Sequence, residues 1–153
     1  MHIAAASLAD LDALTRLFAA YLKFYHEEKA PAAIEDFLAA RLRAGDSAIF
    51  IARDDSGLAL GFVQLYAFFA SLALAPAWLL SDLYVLEQAR RQGVGEALMQ
   101  AARAHAEATD ACALMLETAK TNLAGQALYE RLGYVRDDMF YTYWLGLTRT
   151  ATE

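Results

Sequence analysis

The spacing of apolar and polar positions changes several times along this chain, and each change predicts an element. Met1 to Ala6 reads as a short strand. Ser7, followed by Asp10 and Asp12, supplies a helix cap and an acidic first turn. Leu11, Leu14, Leu17, Phe18, Tyr21 and Leu22 then recur at helical spacing. Pro31 opens a second helix with Ile34, Phe37, Leu38 and Leu42 inward, and Gly45 ends it. From Ser47 the pattern turns to strand: Ala48 to Ala52, a turn at Asp54-Asp55-Ser56-Gly57, and a return strand from Leu58 towards Phe69. A further strand, about Trp78 to Leu86, leads through a glycine-containing turn into a helix from Gly93 to about Thr109. That helix buries Val94, Ala97, Leu98, Ala101, Ala102 and, near its end, His105. A strand over Ala113–Thr118, a helix over Asn122–Leu132 with Gly133 as its cap, and a last strand from about Phe140 to Leu147 complete the order. The pattern predicts one α/β domain over residues 1–153, a mixed sheet covered by helices. Within it, the stretch from Trp78 to Thr118 forms a parallel pair through a right-handed crossover.

Composition narrows the function classes. With 58% apolar residues and two prolines among 153 residues, the chain buries enough surface to offset its ordering entropy, which excludes a disordered reading. A formal charge of −6 disfavours nucleic acid as a partner and suits a cationic one. No charged residue stands between Asp55 and Asp82, a length that could cross a bilayer. Gln64, Ser71 and Pro76 interrupt it, however, and its aromatic and branched residues predict two buried strands and a connection, so no membrane partner is expected. The single cysteine, Cys112, lies in an apolar run and reads as a small packed hydrophobe. His2, His26 and His105 show no metal-ligand spacing with one another or with Cys112, so no metal is expected. The first residues show no basic region followed by an apolar block, and a cytoplasmic location is the expectation.

The chemistry concentrates in Leu83-Tyr84-Val85-Leu86-Glu87-Gln88-Ala89-Arg90-Arg91-Gln92-Gly93-Val94-Gly95-Glu96, where a strand enters a turn with two glycines and then a helix. Such a turn either connects strand to helix tightly or cradles an anion: glycines permit close backbone approach, and the unpaired amides and dipole of a helix start favour phosphate. Arg90 and Arg91 add charge beside it. Leu98 occupies the place of a third dinucleotide-fold glycine, and no Lys-Ser/Thr pair follows as in a P-loop.

Arg90 to Gly95 matches the RxxGxG pattern, and Asn122-Leu-Ala-Gly-Gln-Ala-Leu-Tyr129-Glu-Arg-Leu-Gly-Tyr134 matches a second signature in which an Asn opens a helix and a Tyr two turns later precedes a Gly-aromatic pair. Together they resemble the GNAT N-acetyltransferases, from about Leu80 to Tyr143 in motif and over the first half in element order only. The resemblance implies a centrally splayed sheet and acetyl-CoA as cosubstrate. It implies cofactor binding by Leu83, Tyr84 and Val85 on the strand, by Arg90, Arg91, Gln92, Gly93, Val94, Gly95 and Glu96 in the loop, and by Asn122. It also implies direct attack of an amine on the acetyl carbonyl, with Tyr129 protonating the departing thiolate. Seven residues separate Asn122 from Tyr129, so both project from one helix face.

On the acceptor side, Asp82 breaks the long apolar run immediately before Leu83 and is similar to an acidic strand position of polyamine and histone acetyltransferases in this superfamily. It reads either as a holder of the substrate ammonium or as a solvated carboxylate at a strand start. Glu27 and Glu28, beside Tyr25 and His26 between the first two helices, read either as further cation ligands or as a solvated helix end. The aromatic run Phe140-Tyr141-Thr142-Tyr143-Trp144-Leu145 reads as sheet packing, with a homodimer contact or an acceptor-pocket wall as alternatives. The expected acceptor is a small cationic amine, polyamine-like or an amino sugar. A protein lysine or N-terminus, and a non-catalytic acyl-CoA sensor, are the alternative functions.

Overall fold

The structure, a computed structural model, describes residues 1–149. It consists of two compact units, one of Met1–Glu117 and one that starts at Thr118. In the first, β1 (His2–Ala5) leads through a short 3-10 turn into α1 (Leu11–Phe24) and α2 (Pro31–Ala44). There follow β2 (Ser47–Arg53), β3 (Ala59–Ala70), β4 (Ala75–Val85), α3 (Val94–Ala108) and β5 (Leu114–Leu116). The strands form one sheet in the order β1-β2-β3-β4-β5, antiparallel except for the parallel β4–β5 pair. This is the mixed α/β architecture that the pattern predicts.

Local chemistry accounts for the element ends. The Ser7 side chain accepts from the Ala9 N–H while the Ser7 N–H donates to the Asp10 carboxylate at 2.9 Å, a reciprocal cap at the entry to the first helical segment. Pro31 occupies the first turn of α2, and Gly45, at φ 63°, closes its last. The uncharged run from Ser56 to Ser81 becomes β3, a short 3-10 turn and most of β4. No helix among the described residues is long and apolar enough to cross a membrane.

The sheet is covered on both faces, which is why its central strands are nearly continuous in apolar residues. Leu14, Leu17 and Phe18 of α1 and Ile34 and Leu38 of α2 pack with Ile49, Ile51 and Phe62 on one face. Val94, Leu98, Met99 and Ala102 of α3 are buried as well. Phe37, expected inward, is 40% exposed, and its ring lies under the Arg41 guanidinium instead.

Two irregularities shape β4. Its register against β3 slips after Gln64↔Asp82 to Leu65↔Leu80, so Ser81 is an extra residue and the strand bulges beside Asp82. On its other edge, β5 pairs with it only from Trp78↔Leu114 to Leu80↔Leu116. Past that point Ser81–Val85 has no ladder partner on that side among the described residues.

In the second unit, α4 spans Leu123–Arg131 and Gly133 sits at φ 90°. The predicted strand over Phe140–Leu147 is not formed: residues 140–149 carry neither helix nor strand, and Phe140, Tyr141, Tyr143, Trp144, Leu145 and Leu147 are all exposed. Strand preference measures fit to a half-buried pleated surface, and this segment joins no ladder among the described residues. Cys112 is exposed rather than packed, and its N–H donates to Pro76 O at 2.8 Å just before β5 begins.

Gly61 tests how tightly β4 is held. A Cβ there would lie 2.5 Å from Tyr84 O and 3.3 Å from Leu98 Cδ1. Gly61→Ala is therefore expected to destabilise the protein by roughly 1–3 kcal/mol, read as a lower urea midpoint at unchanged slope.

Candidate active site

The open stretch of β4 runs directly into the glycine turn. Leu83, Tyr84 and Val85 are half-buried, so this edge offers strand amides and carbonyls without full exposure. After Leu86 a 3-10 turn, Glu87–Ala89, carries the chain to Arg90. Arg91 and Gly93 both take the left-handed conformation, at φ 61° and 81°, which bends the backbone into the first turn of α3. Gly93 meets this demand without a Cβ penalty, whereas Arg91 carries one. Val94 is buried beneath the turn, Gly95 and Glu96 are half-buried in it, and Arg91 and Gln92 are exposed. The amides of Val94 and Gly95 precede the bond from the Ala97 N–H to Gly93 O and so belong to the first turn of a helix start.

Arg90 does not simply project from this turn. Its Nε donates to Val85 O at 3.1 Å, and its guanidinium lies 5.5 Å from the Phe24 ring centroid and 5.7 Å from that of Tyr84. It fastens the turn to the end of α1 by cation–π contact. Gln92 is likewise tied locally, with Nε2 donating to Gln88 O.

Asp82, half-buried beside the bulge, is enclosed by phenols. Tyr21 and Ser81 stand beside its carboxylate and favour the charged form. Burial pushes the Asp82 carboxyl above its ordinary value, and those two residues recover part of the shift. Its charge acts outward in turn: burial and Asp82 raise the Tyr25 phenol, and burial, with Asp82 next, pushes that of Tyr66 up to about 12. Tyr21 stands at the centre of the rings, 5.2 Å from Tyr25, 5.9 Å from Phe62 and 6.2 Å from Tyr84. An aromatic cluster beside one carboxylate is suited to a cation.

Sequence reasoning missed Tyr21 and Tyr66 as members of this cluster. Tyr21 fits the inward face of α1, and that periodicity hides a polar role; the signal available was Tyr21, Phe24 and Tyr25 clustered on the last turn of one helix. Glu27 and Glu28 are exposed on the turn that follows, where Glu27 stands 3.9 Å from Lys29 and its N–H donates to Leu22 O. Among the described residues no cluster of His, Cys, Asp and Glu is arranged for a metal.

In the second unit Asn122 precedes α4 and caps it: Oδ1 accepts from the Gly125 N–H at 3.2 Å and Nδ2 donates to Thr118 Oγ1 at 3.1 Å. A Cβ on Gly125 would lie 2.5 Å from Asn122 Nδ2, so the small residue three positions on is part of the cap. Tyr129 is half-buried two turns later, its ring 6.2 Å from that of Tyr134, whose N–H donates to Tyr129 O.

Comparison with known proteins agrees with this geometry. The family model described as "Acetyltransferase (GNAT) family" matches residues 11–134. The uncharacterized N-acetyltransferase YhfO of Bacillus subtilis (strain 168) is 37% identical over 147 residues, covering 96% of this chain and 98% of that protein. A probable acetyltransferase of Haemophilus influenzae is 34% identical over 111 residues, 72% of this chain and 76% of its own length. The crystal structure of a probable acetyltransferase superposes with a TM-score of 0.91 at 39% identity, covering 98% of this chain and all of that one. With the family model matching residues 11–134, which hold both signatures, and with these relatives matching most of its length, the chain belongs to the GNAT family of acetyltransferases.

Proposed function

We propose that this protein transfers an acetyl group from acetyl-CoA to the primary amine of a small cationic molecule, polyamine-like or an amino sugar. The observation that carries the reading is the edge of β4 from Ser81 to Val85 that no strand covers among the described residues, with the left-handed turn and α3 amides at one end and Asp82 with its aromatic neighbours on the same strand. Amides of Val94 and Gly95, with Arg91 nearby, suit a diphosphate. Backbone groups of Leu83 to Val85 suit an extended amide-bearing arm, and an N–H near Val85 would polarise the thioester carbonyl.

In this mechanism Asp82 receives the proton that the attacking nitrogen must lose, and Tyr21 holds the carboxylate in place. The amine nitrogen bonds to the acetyl carbon, the carbon–sulfur bond breaks, and Tyr129 gives its phenolic proton to the departing thiolate before regaining one from solvent. A phenol suits that task because its ordinary pKa keeps it protonated at neutral pH, with a proton to give as negative charge develops on sulfur. The raised carboxyl of Asp82 makes it a stronger base than a free aspartate. Asn122 supports the start of the helix that carries Tyr129. Glu27 and Glu28 fit a weaker role, drawing cations toward Asp82 from the surface.

Following thiol release from acetyl-CoA across diamines, polyamines, aminoglycosides and lysine peptides tests the assignment. Turnover should be fastest with one of the first three classes, and Tyr129→Phe should lower kcat by about 100-fold or more while CoA affinity is unchanged. A wild-type protein that binds CoA yet turns over no amine would favour the sensor reading.

A second test uses the sign of the Asp82 shift. Its folded carboxyl binds the proton more tightly than the unfolded chain does, so stability is lost as pH rises from the ordinary carboxylate value through the raised one. Asp82→Asn should therefore match the wild-type melting temperature at pH below that interval and exceed it at neutral pH, while kcat/KM falls by about 100-fold or more. A melting difference independent of pH would refute the burial of an ionised carboxylate there.

A further inference from the structure

One face of the sheet changes character along its strands. Phe62, Gln64, Tyr66 and Phe68 alternate onto the same side of β3, the side that α1 and α2 cover at Phe62. Cover is complete at Phe62 and Gln64, 1% and 0% exposed, thins at half-buried Tyr66, and leaves Phe68 exposed. The register carries this face across the neighbouring strands: Gln64 is opposite Asp82, Tyr66 is opposite Leu79, and Leu79 is opposite Met115 of β5. Asp82 therefore stands where the covered core gives way to open surface.

That surface is concave. Tyr66, Ala67, Phe68, Leu79 and Met115 line an apolar groove of about 220 Å³, and all five belong to the first unit. Their side chains carry one polar group, the Tyr66 hydroxyl, and Tyr66 joins the groove to the carboxylate, since the charge of Asp82 helps to raise its phenol. Asp82 and Leu79 are three residues apart on β4, so at most about 10 Å of strand separates the carboxylate from the groove wall. The groove is smaller than the roughly 300–1,000 Å³ of a site for a drug-sized ligand, and so suits a narrow arm. A carboxylate beside a hydrocarbon lining is complementary to an ammonium that carries an apolar chain. A sugar ring is not, because its hydroxyls would be desolvated against Phe68, Leu79 and Met115 without partners.

We infer that the acceptor is a primary alkylamine, with its nitrogen at Asp82 and its unbranched arm in the Tyr66–Met115 groove. The inference rests on the acetyl transfer proposed above and, of the acceptors named there, selects those with a methylene chain over the amino sugar. Phe68 and Met115 are themselves exposed, so the far end of the arm meets water and a second ammonium there stays solvated, as the head of a lysine does above its buried stem.

Initial rates at saturating acetyl-CoA with ethylamine, butylamine, hexylamine, the six-carbon diamine and glucosamine test this. From ethylamine to hexylamine, kcat/KM should rise about 3-fold or more per methylene, the effect of burying each in an apolar site, and glucosamine should stay about 50-fold or more below hexylamine. Met115→Glu, at an exposed position, should lower kcat/KM about 10-fold or more for hexylamine and less for the diamine, whose second ammonium meets the new carboxylate, with the KM for acetyl-CoA unchanged. A substitution that merely disturbed the sheet would lower both amines alike, and that result counts against the inference. Should the variant not fold, the chain-length series on the wild-type protein decides alone. Rates independent of chain length, or glucosamine matching hexylamine, overturn the inference and leave acetyl transfer standing. Absence of thiol release with every amine overturns both. A dimer in light scattering that Met115→Glu dissociates, with the amine series unaltered, would assign the groove to a second copy of the chain and overturn the inference as well.

Discussion

Everything in the first unit turns on where one short strand stops. Every buried backbone amide and carbonyl must be paired, and in an ordinary sheet the neighbouring strand does this along the whole length. Here β5 accompanies β4 for three residues and ends at Leu116, so the half of β4 from Ser81 to Val85 keeps its hydrogen-bonding groups on one side while its other side is held by β3. The deficit lies in the interior of the sheet, beside the Asp82 bulge and just before the turn into α3. On the proposed function this stretch is where an extended polar ligand would lie, and the bulge sets which side chain stands beside it.

The order of elements through α4 was legible because apolar period is a strong signal in long segments: α2 and α3 begin within a residue of their expected starts, and α1 begins three residues after the one that Ser7 predicts, behind a 3-10 turn that Ser7 caps. The turn at Arg90–Gly95 was legible because two glycines between a strand and a helix make a narrow demand on backbone conformation, and Gly93 meets it with a positive φ. Asp82 stood out as the charge that ends a long uncharged run. Its neighbours did not. Helical periodicity places Tyr21 toward the interior, and the same position serves a packed ring or a phenol aimed at a carboxylate; only the third dimension separates them.

The final strand shows the opposite failure. Phe140–Leu147 has every local mark of a strand, yet strand structure is a relation between two segments, and composition reports only one of them. Asn122 illustrates a subtler gap, since spacing toward Tyr129 draws attention to a ligand while the local cue is Gly125, which makes room for the capping amide.

Arg90 ties the turn and the ring cluster into one mechanical unit. Its side chain bonds the last carbonyl of β4 and rests against Phe24 and Tyr84, so a change in its position is felt at once by the turn and by the rings near Asp82. Linkage makes such influence mutual: whatever factor one occupant gains from the other's presence is returned in equal measure. An anion that draws the guanidinium away would loosen the rings around the carboxylate, and a guest that tightens the rings would hold the guanidinium back. Occupancy of the turn and occupancy of the ring cluster would then be coupled through the stacking of a single arginine.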